Sequence, residues 1–236
     1  MRDHYVWLAW SSAFLLPWLG LFIVFPRHRR VMVWASALTM LFGLTEPLFV
    51  PRYWLPPSLF DLAQRTGFDI ESLIFSFAIG GVGAVLYNIV TRQDLQPVAM
   101  RERRGHRHRF HGIALAVPFL AFPLLSRTGW NPIYPAMLAM AFGAAATVAC
   151  RPDLKWKTGL GGTLFAAYYA LFMALLEWSA PGYIARVWNL AALSGVAVAG
   201  LPLEELLFGF AFGAYWSGVY EHLTWQGSGS SRHASR

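Results

Sequence analysis

The stretch GLPLEELLFGFAFGAYWSGVYEHLT, residues 200–224, decides how this chain folds. It is apolar over a length close to that of a bilayer-crossing helix, and two adjacent carboxylates, Glu204 and Glu205, stand at its start. Pro202 suits the first position of a helix, where its missing N–H would have no partner anyway. The same pattern occurs 133 positions earlier in GFDIESLIFSFAIGGVGAVLYNIVT, residues 67–91. Nine of the 25 aligned positions are identical, among them Glu71/Glu204, Phe75/Phe208, Phe77/Phe210 and Gly80/Gly213. Acid and aromatics fall in register, which points to a duplicated unit.

Working outward, composition sets the class. The chain has 236 residues, of which 56% are hydrophobic and 13% charged. Soluble domains carry about 25% charged residues. Several runs approach or exceed the roughly 18 apolar residues of a membrane span. The reading is an all-α integral membrane protein with about seven transmembrane helices. These are expected near residues 5–25, 31–50, 70–90, 113–125, 133–150, 159–177 and 203–223. A short interfacial helix is expected near Leu59–Gln64, and residues 188–201 either dip into the membrane or lie on it. Residues 1–223 then form one transmembrane domain: repeat one over about 5–91, a connector helix over about 113–125, and repeat two over about 133–223. Two parallel three-helix repeats need such a connector to return the chain. The Ser/Gly-rich residues 226–236 are expected to be a disordered tail. The first apolar run is too long for a cleavable signal peptide and lacks a small-residue cleavage site.

The net charge of +7 comes from basic residues in short loops. Seven spans place 14 of the 19 Lys and Arg on one side, which orients the N-terminus outside and the C-terminus in the cytoplasm of a bacterial inner membrane. Lipid headgroups, not nucleic acid, are the expected partners of this charge. Tyr87, Tyr220, Glu221 and His222 fall at the cytoplasmic end, where anchors are expected. One cysteine, Cys150, excludes an internal disulfide and a Cys-rich metal site. His106, His108 and His111 lie among arginines, whose charge disfavours a cation, so no metal site is expected. Gly80, Gly81 and Gly83 lack the strand–turn–helix setting of a nucleotide loop and suit close helix packing. No aspartate-rich box for a magnesium–diphosphate group is present.

The intramembrane acids are the candidate site. A carboxylate in lipid is costly and marks function by default. Glu204 and Glu71 lead, followed by Glu205, whose counterpart is Ser72, and by Glu46 and Glu177, which are 131 positions apart and correspond between the halves. The blander reading is that Glu71 and Glu204 complement a helix dipole, worth about 0.3–1 kcal/mol. Phe75 and Phe208, one turn after the acids, and Phe77 and Phe210 beyond them offer ring faces to a cationic intermediate, or simply pack.

Pro202-Leu203-Glu204-Glu205-Leu206-Leu207-Phe208 resembles the P-x-E-[ED]-x-x-F signature of the lycopene cyclase domain, a small membrane-embedded family of heterodimeric and fused carotenoid cyclases. The duplicated three-span unit is similar to that family too. The first copy, Asp69 to Phe75, lacks the proline and the second acid. The resemblance implies a cofactor-free, redox-neutral cyclisation of an isoprenoid end group such as that of lycopene, of the β-cyclase kind. Glu204 would then be the acid and Glu71 or Glu205 the base, with phenylalanines shielding the cation. It admits a homo- or hetero-dimer. The rival is a non-enzymatic carrier or an isoprenoid- or lipid-binding protein, because proton coupling also uses buried carboxylates.

Overall fold

The computed structural model describes residues 3–230 and is predominantly helical. In chain order, the helices begin with α1 (Val6–Ala13), α2 (Leu15–Val24) and α3 (Arg29–Met40), the last continued by a 3-10 segment over Leu41–Leu48. Then come α4 (Leu62–Thr66), α5 (Ile70–Val90), strand β1 (Gln93–Pro97), α6 (Met100–Arg103), α7 (His111–Ser126), α8 (Ile133–Cys150) and α9 (Lys155–Ser179). The chain closes with α10 (Tyr183–Val187), β2 (Ala197–Val198), β3 (Leu201–Pro202), α11 (Leu203–Thr224) and β4 (Gln226–Ser230).

Six stretches are long and apolar enough to cross a membrane: Val6–Val24, Pro26–Leu48, Ile70–Val90, His108–Ser126, Ile133–Cys150 and Pro152–Ser179. These are compatible with an integral membrane protein. α11 has 22 residues but is not among the six; Glu204, Glu205, Glu221 and His222 set it apart. It is also a central helix, packed against α5, α8 and α9, and buried on most sides.

Local chemistry explains where the elements begin and stop. The first apolar run divides at Phe14, because Pro17 has no N–H for the Ala13 carbonyl one turn back. Pro47 likewise accompanies the tightening of α3 into a 3-10 turn. α5 starts where the Asp69 carboxylate, on extended backbone, accepts from the Ser72 N–H at 2.5 Å. α4, found where the short helix was expected, ends at Gly67 with φ +76°. Pro202 stands one position before α11 and pairs in β3 with Ala197, so it flanks the helix without opening it.

Several boundaries differ from the sequence reading. The sixth run begins at Lys155, four residues earlier than expected, because Lys157 is helical and buried. The fourth extends over all of His111–Ser126. Residues 188–201 are irregular, with Trp188 and Leu201 buried and the stretch between them exposed or half-exposed. Residues 226–230, expected as the start of the tail, pair antiparallel with β1 instead. Arg2, Arg232, Arg236 and the rest of the tail lie outside the described residues. Glu221 and His222 are not interfacial anchors: both are buried, 0% and 1% exposed.

Helix pairs α3/α5 and α9/α11 approach closely through glycines. A Cβ at Gly80 would overlap Thr39 Oγ1, and one at Gly213 would lie 2.5 Å from Phe165 Cβ and 2.7 Å from the Gly161 carbonyl oxygen. Neither contact can yield without moving a helix. Gly80→Val and Gly213→Val are each expected to cost about 1–3 kcal/mol, read as a lower unfolding midpoint in detergent; unchanged midpoints in both would contradict this packing.

Candidate active site

An apolar cavity of about 370 Å³ lies between α1, α5, α7, α8, α9 and α11. Its walls are mainly aromatic, including Trp7, Phe14, Phe75, Phe208, Phe212 and Trp216. Only a few polar groups reach it, and two of them are carboxylates, Glu46 and Glu205. Both are buried, at 8% and 2% exposure.

The two acids are held differently. Glu46 sits just before Pro47 in the 3-10 turn and accepts a hydrogen bond from Trp54 Nε1 at 2.5 Å. Glu205 opens α11 and is an acceptor for three donors. Trp188 Nε1 donates to its Oε1 at 2.6 Å, Tyr169 hydroxyl to Oε2 at 2.6 Å, and the Tyr53 hydroxyl also donates to Oε1. Successive residues Tyr53 and Trp54 therefore serve one carboxylate each. Their loop is fixed by an isolated antiparallel bridge between Trp54 and Trp188, whose rings lie 5.2 Å apart. Arg52 fastens it further by donating to the carbonyls of Gly129 and Trp130, both at 2.9 Å.

Glu71 and Glu204 do not line this cavity. Glu71 accepts from the Leu59 N–H at 2.7 Å. Glu204 accepts from the Ser194 N–H and the Tyr134 hydroxyl, both at 2.7 Å. Each thus ties its helix to the loop that precedes it, as residues at equivalent repeat positions would. Glu177 does similar work, accepting from the N–H groups of Gly182 at 2.5 Å and Ile184 at 3.0 Å. Phe75 and Phe208 line the cavity, whereas Phe77 packs on Trp18 at 5.2 Å and Phe210 lines a separate groove beside Tyr134.

Sequence reasoning missed Tyr53, Trp54, Tyr169 and Trp188. A signal existed for two of them: Trp54 and Trp188 are 134 positions apart, one step from the repeat offset. Tyr53 and Tyr169 carried none.

Chemically, the arrangement offers two carboxylates, Glu46 beside the Trp54 indole N–H and Glu205 among three donors, both in a space lined by ring faces. Comparison with known proteins gives one finding of the same kind. The family model for lycopene cyclase matches residues 131–223. That stretch is assigned to the lycopene cyclase family. The assignment supports a carotenoid cyclase in general. The lycopene cyclase match contains Tyr169, Trp188, Glu205 and Phe208, while Glu46, Tyr53 and Trp54 precede it. No curated protein and no solved structure matches the chain.

Proposed function

We propose that this chain is a membrane-embedded cyclase that closes a ring on the end group of a lycopene-like carotenoid, with Glu46 as general acid and Glu205 as general base. The observation that carries the reading is that two buried carboxylates from different halves of the chain converge on one aromatic cavity. Glu46 gives its proton to the terminal double bond. The electron pair of the neighbouring internal double bond forms the new C–C bond to the cationic carbon. Glu205 removes a ring proton, and that C–H pair becomes the ring double bond. Substrate and product are isomers, so the step needs no redox partner. Ring faces of Phe75, Phe208 and Trp216 lower the energy of the intermediate cation, and the apolar lining disfavours water that would capture it.

The cavity suits one end of a long polyene, since small-molecule sites span roughly 300–1,000 Å³; the remaining chain would lie in lipid. Glu71, Glu204 and Glu177 take no proton in this scheme; each holds a loop by accepting hydrogen bonds from its backbone N–H groups.

The same reading extends to architecture: α11 serves as a seventh span, and the chain forms two parallel repeats joined by α7, with the N-terminus outside a bacterial inner membrane. Support comes from repeat-related contacts, such as Asn88 and Glu221, 133 positions apart, which meet through a hydrogen bond of 3.2 Å.

The decisive experiment is pigment analysis in a lycopene-accumulating host. New cyclic end groups are expected. Unchanged pigment with carotenoid co-purifying would favour a binding protein. Tyr169→Phe removes one of three donors to Glu205, and a hydrogen bond to a charged group is worth about 1.5–3 kcal/mol. Ring formation is therefore expected to slow by roughly ten- to a hundredfold. A rate equal to wild type would remove Tyr169 from the site.

A further inference from the structure

At the end of the bundle where α5, α8 and α11 terminate, three ligating side chains meet outside the carboxylate cavity. His108 lies in the 3-10 turn His106–Phe110, His111 opens α7, and Cys150 closes α8. One donor atom from each lies within 4.8 Å of the others. Both imidazoles turn Nδ1 towards the same sulfur, His111 at 3.4 Å and His108 at 3.6 Å. A thiol makes only weak hydrogen bonds, so two imidazole nitrogens on one sulfur are poorly explained by hydrogen bonding. A metal ion explains them better. With Zn–S of about 2.3 Å and Zn–N of about 2.0–2.1 Å, a tetrahedral S···N edge comes to roughly 3.5 Å, close to both observed separations.

A second observation concerns a neighbouring residue. His222, 1% exposed, stands edge-on to His111 with ring centroids 4.6 Å apart. Its Nε2 is buried without a hydrogen-bond partner among the described residues, as is Nε2 of His111. Trp225 stacks on His111 at 4.1 Å and fixes the ring. One arginine nearby has its own counter-charge. Arg151 is engaged by Asp153 through bonds of 2.9 and 2.6 Å, and Arg103 donates to the Val98 carbonyl.

We propose that His108, His111 and Cys150 bind a borderline-soft divalent metal, of the zinc class, with a fourth position beside His222. Binding forms one metal–sulfur and two metal–nitrogen bonds and releases the thiol proton to solvent. Two nitrogens and one thiolate sulfur suit zinc. The ion staples the basic loop after β1 and the start of α7 to the end of α8.

The test is a cobalt titration of the full-length, detergent-solubilised protein after chelation. One equivalent of Co²⁺ is expected to give a thiolate-to-metal charge-transfer band that Zn²⁺ abolishes. Cys150→Ser should lose the band, and His106→Ala, a neighbour outside the cluster, should keep it. No band in the wild-type protein overturns the proposal whatever the variants do. So does a band that survives Cys150→Ser.

Discussion

Glu205→Gln and Glu46→Gln are each expected to reduce ring formation by about 10²–10⁴-fold, the range associated with removing a general acid or base. Glutamine keeps the volume of the side chain but cannot accept or deliver the proton. At Glu205 it also turns an amide towards donors: Trp188 Nε1 and the hydroxyls of Tyr53 and Tyr169 all point at the carboxylate. Protein amount is therefore measured beside pigment, and loss of cyclic product at normal protein level is the expected result. The matched comparison uses Glu204→Gln and Glu71→Gln. A glutamine carbonyl still accepts from Ser194 and Tyr134 at position 204, and from Leu59 at position 71. Both variants should retain most of the activity. The reverse pattern, with Glu204 and Glu71 essential and Glu46 and Glu205 dispensable, would remove the cavity from the mechanism.

That comparison shows where the sequence was legible and where it was not. The long apolar runs were readable because hydropathy over some 20 residues is a local property, and α8 falls at the expected Ile133–Cys150. The acids were readable as a group, since charge in an apolar run is conspicuous. Their ranking followed the repeat. Glu71 and Glu204 coincide under the 133-residue shift, which favoured them as a pair. Equivalent positions do equivalent structural work, and here both accept a backbone N–H from the preceding loop. The residues that reach the cavity at the next position are Ser72 and Glu205, where the halves differ. A side chain one residue along faces elsewhere on a helix, so neighbouring glutamates take different surroundings. Glu221 and His222 were misplaced for another reason. Charged residues at the end of an apolar run look like anchors unless a buried counter-charge is known, and Lys157 comes from a different helix. The association of Cys150 with His108 and His111 was equally hidden, because the link spans 39 residues or more.

Breaking the Lys157–Glu221 pair is expected to produce the largest loss of stability available from a single substitution at this end of the bundle. Lys157 on α9 is 1% exposed, and its Nζ pairs with Glu221 on α11 and donates to Asn88 Oδ1 on α5 at 2.9 Å. Asn88 Nδ2 donates in turn to Glu221 at 3.2 Å, so three helices close around one ion pair. Lys157→Met leaves a carboxylate with no cation, and Glu221→Gln leaves an ammonium with no anion. Either should cost about 3–5 kcal/mol, which in a chain of this length lowers the unfolding midpoint by roughly 6–20 °C. The double variant Lys157→Met/Glu221→Leu removes both charges together. Because desolvation opposes a buried pair as strongly as attraction favours it, the double variant should recover most of the loss. Unfolding midpoints of the three variants in one detergent give the coupling directly. Additive losses in the double variant would mean that the two charges act independently and that α5, α9 and α11 are held by packing alone.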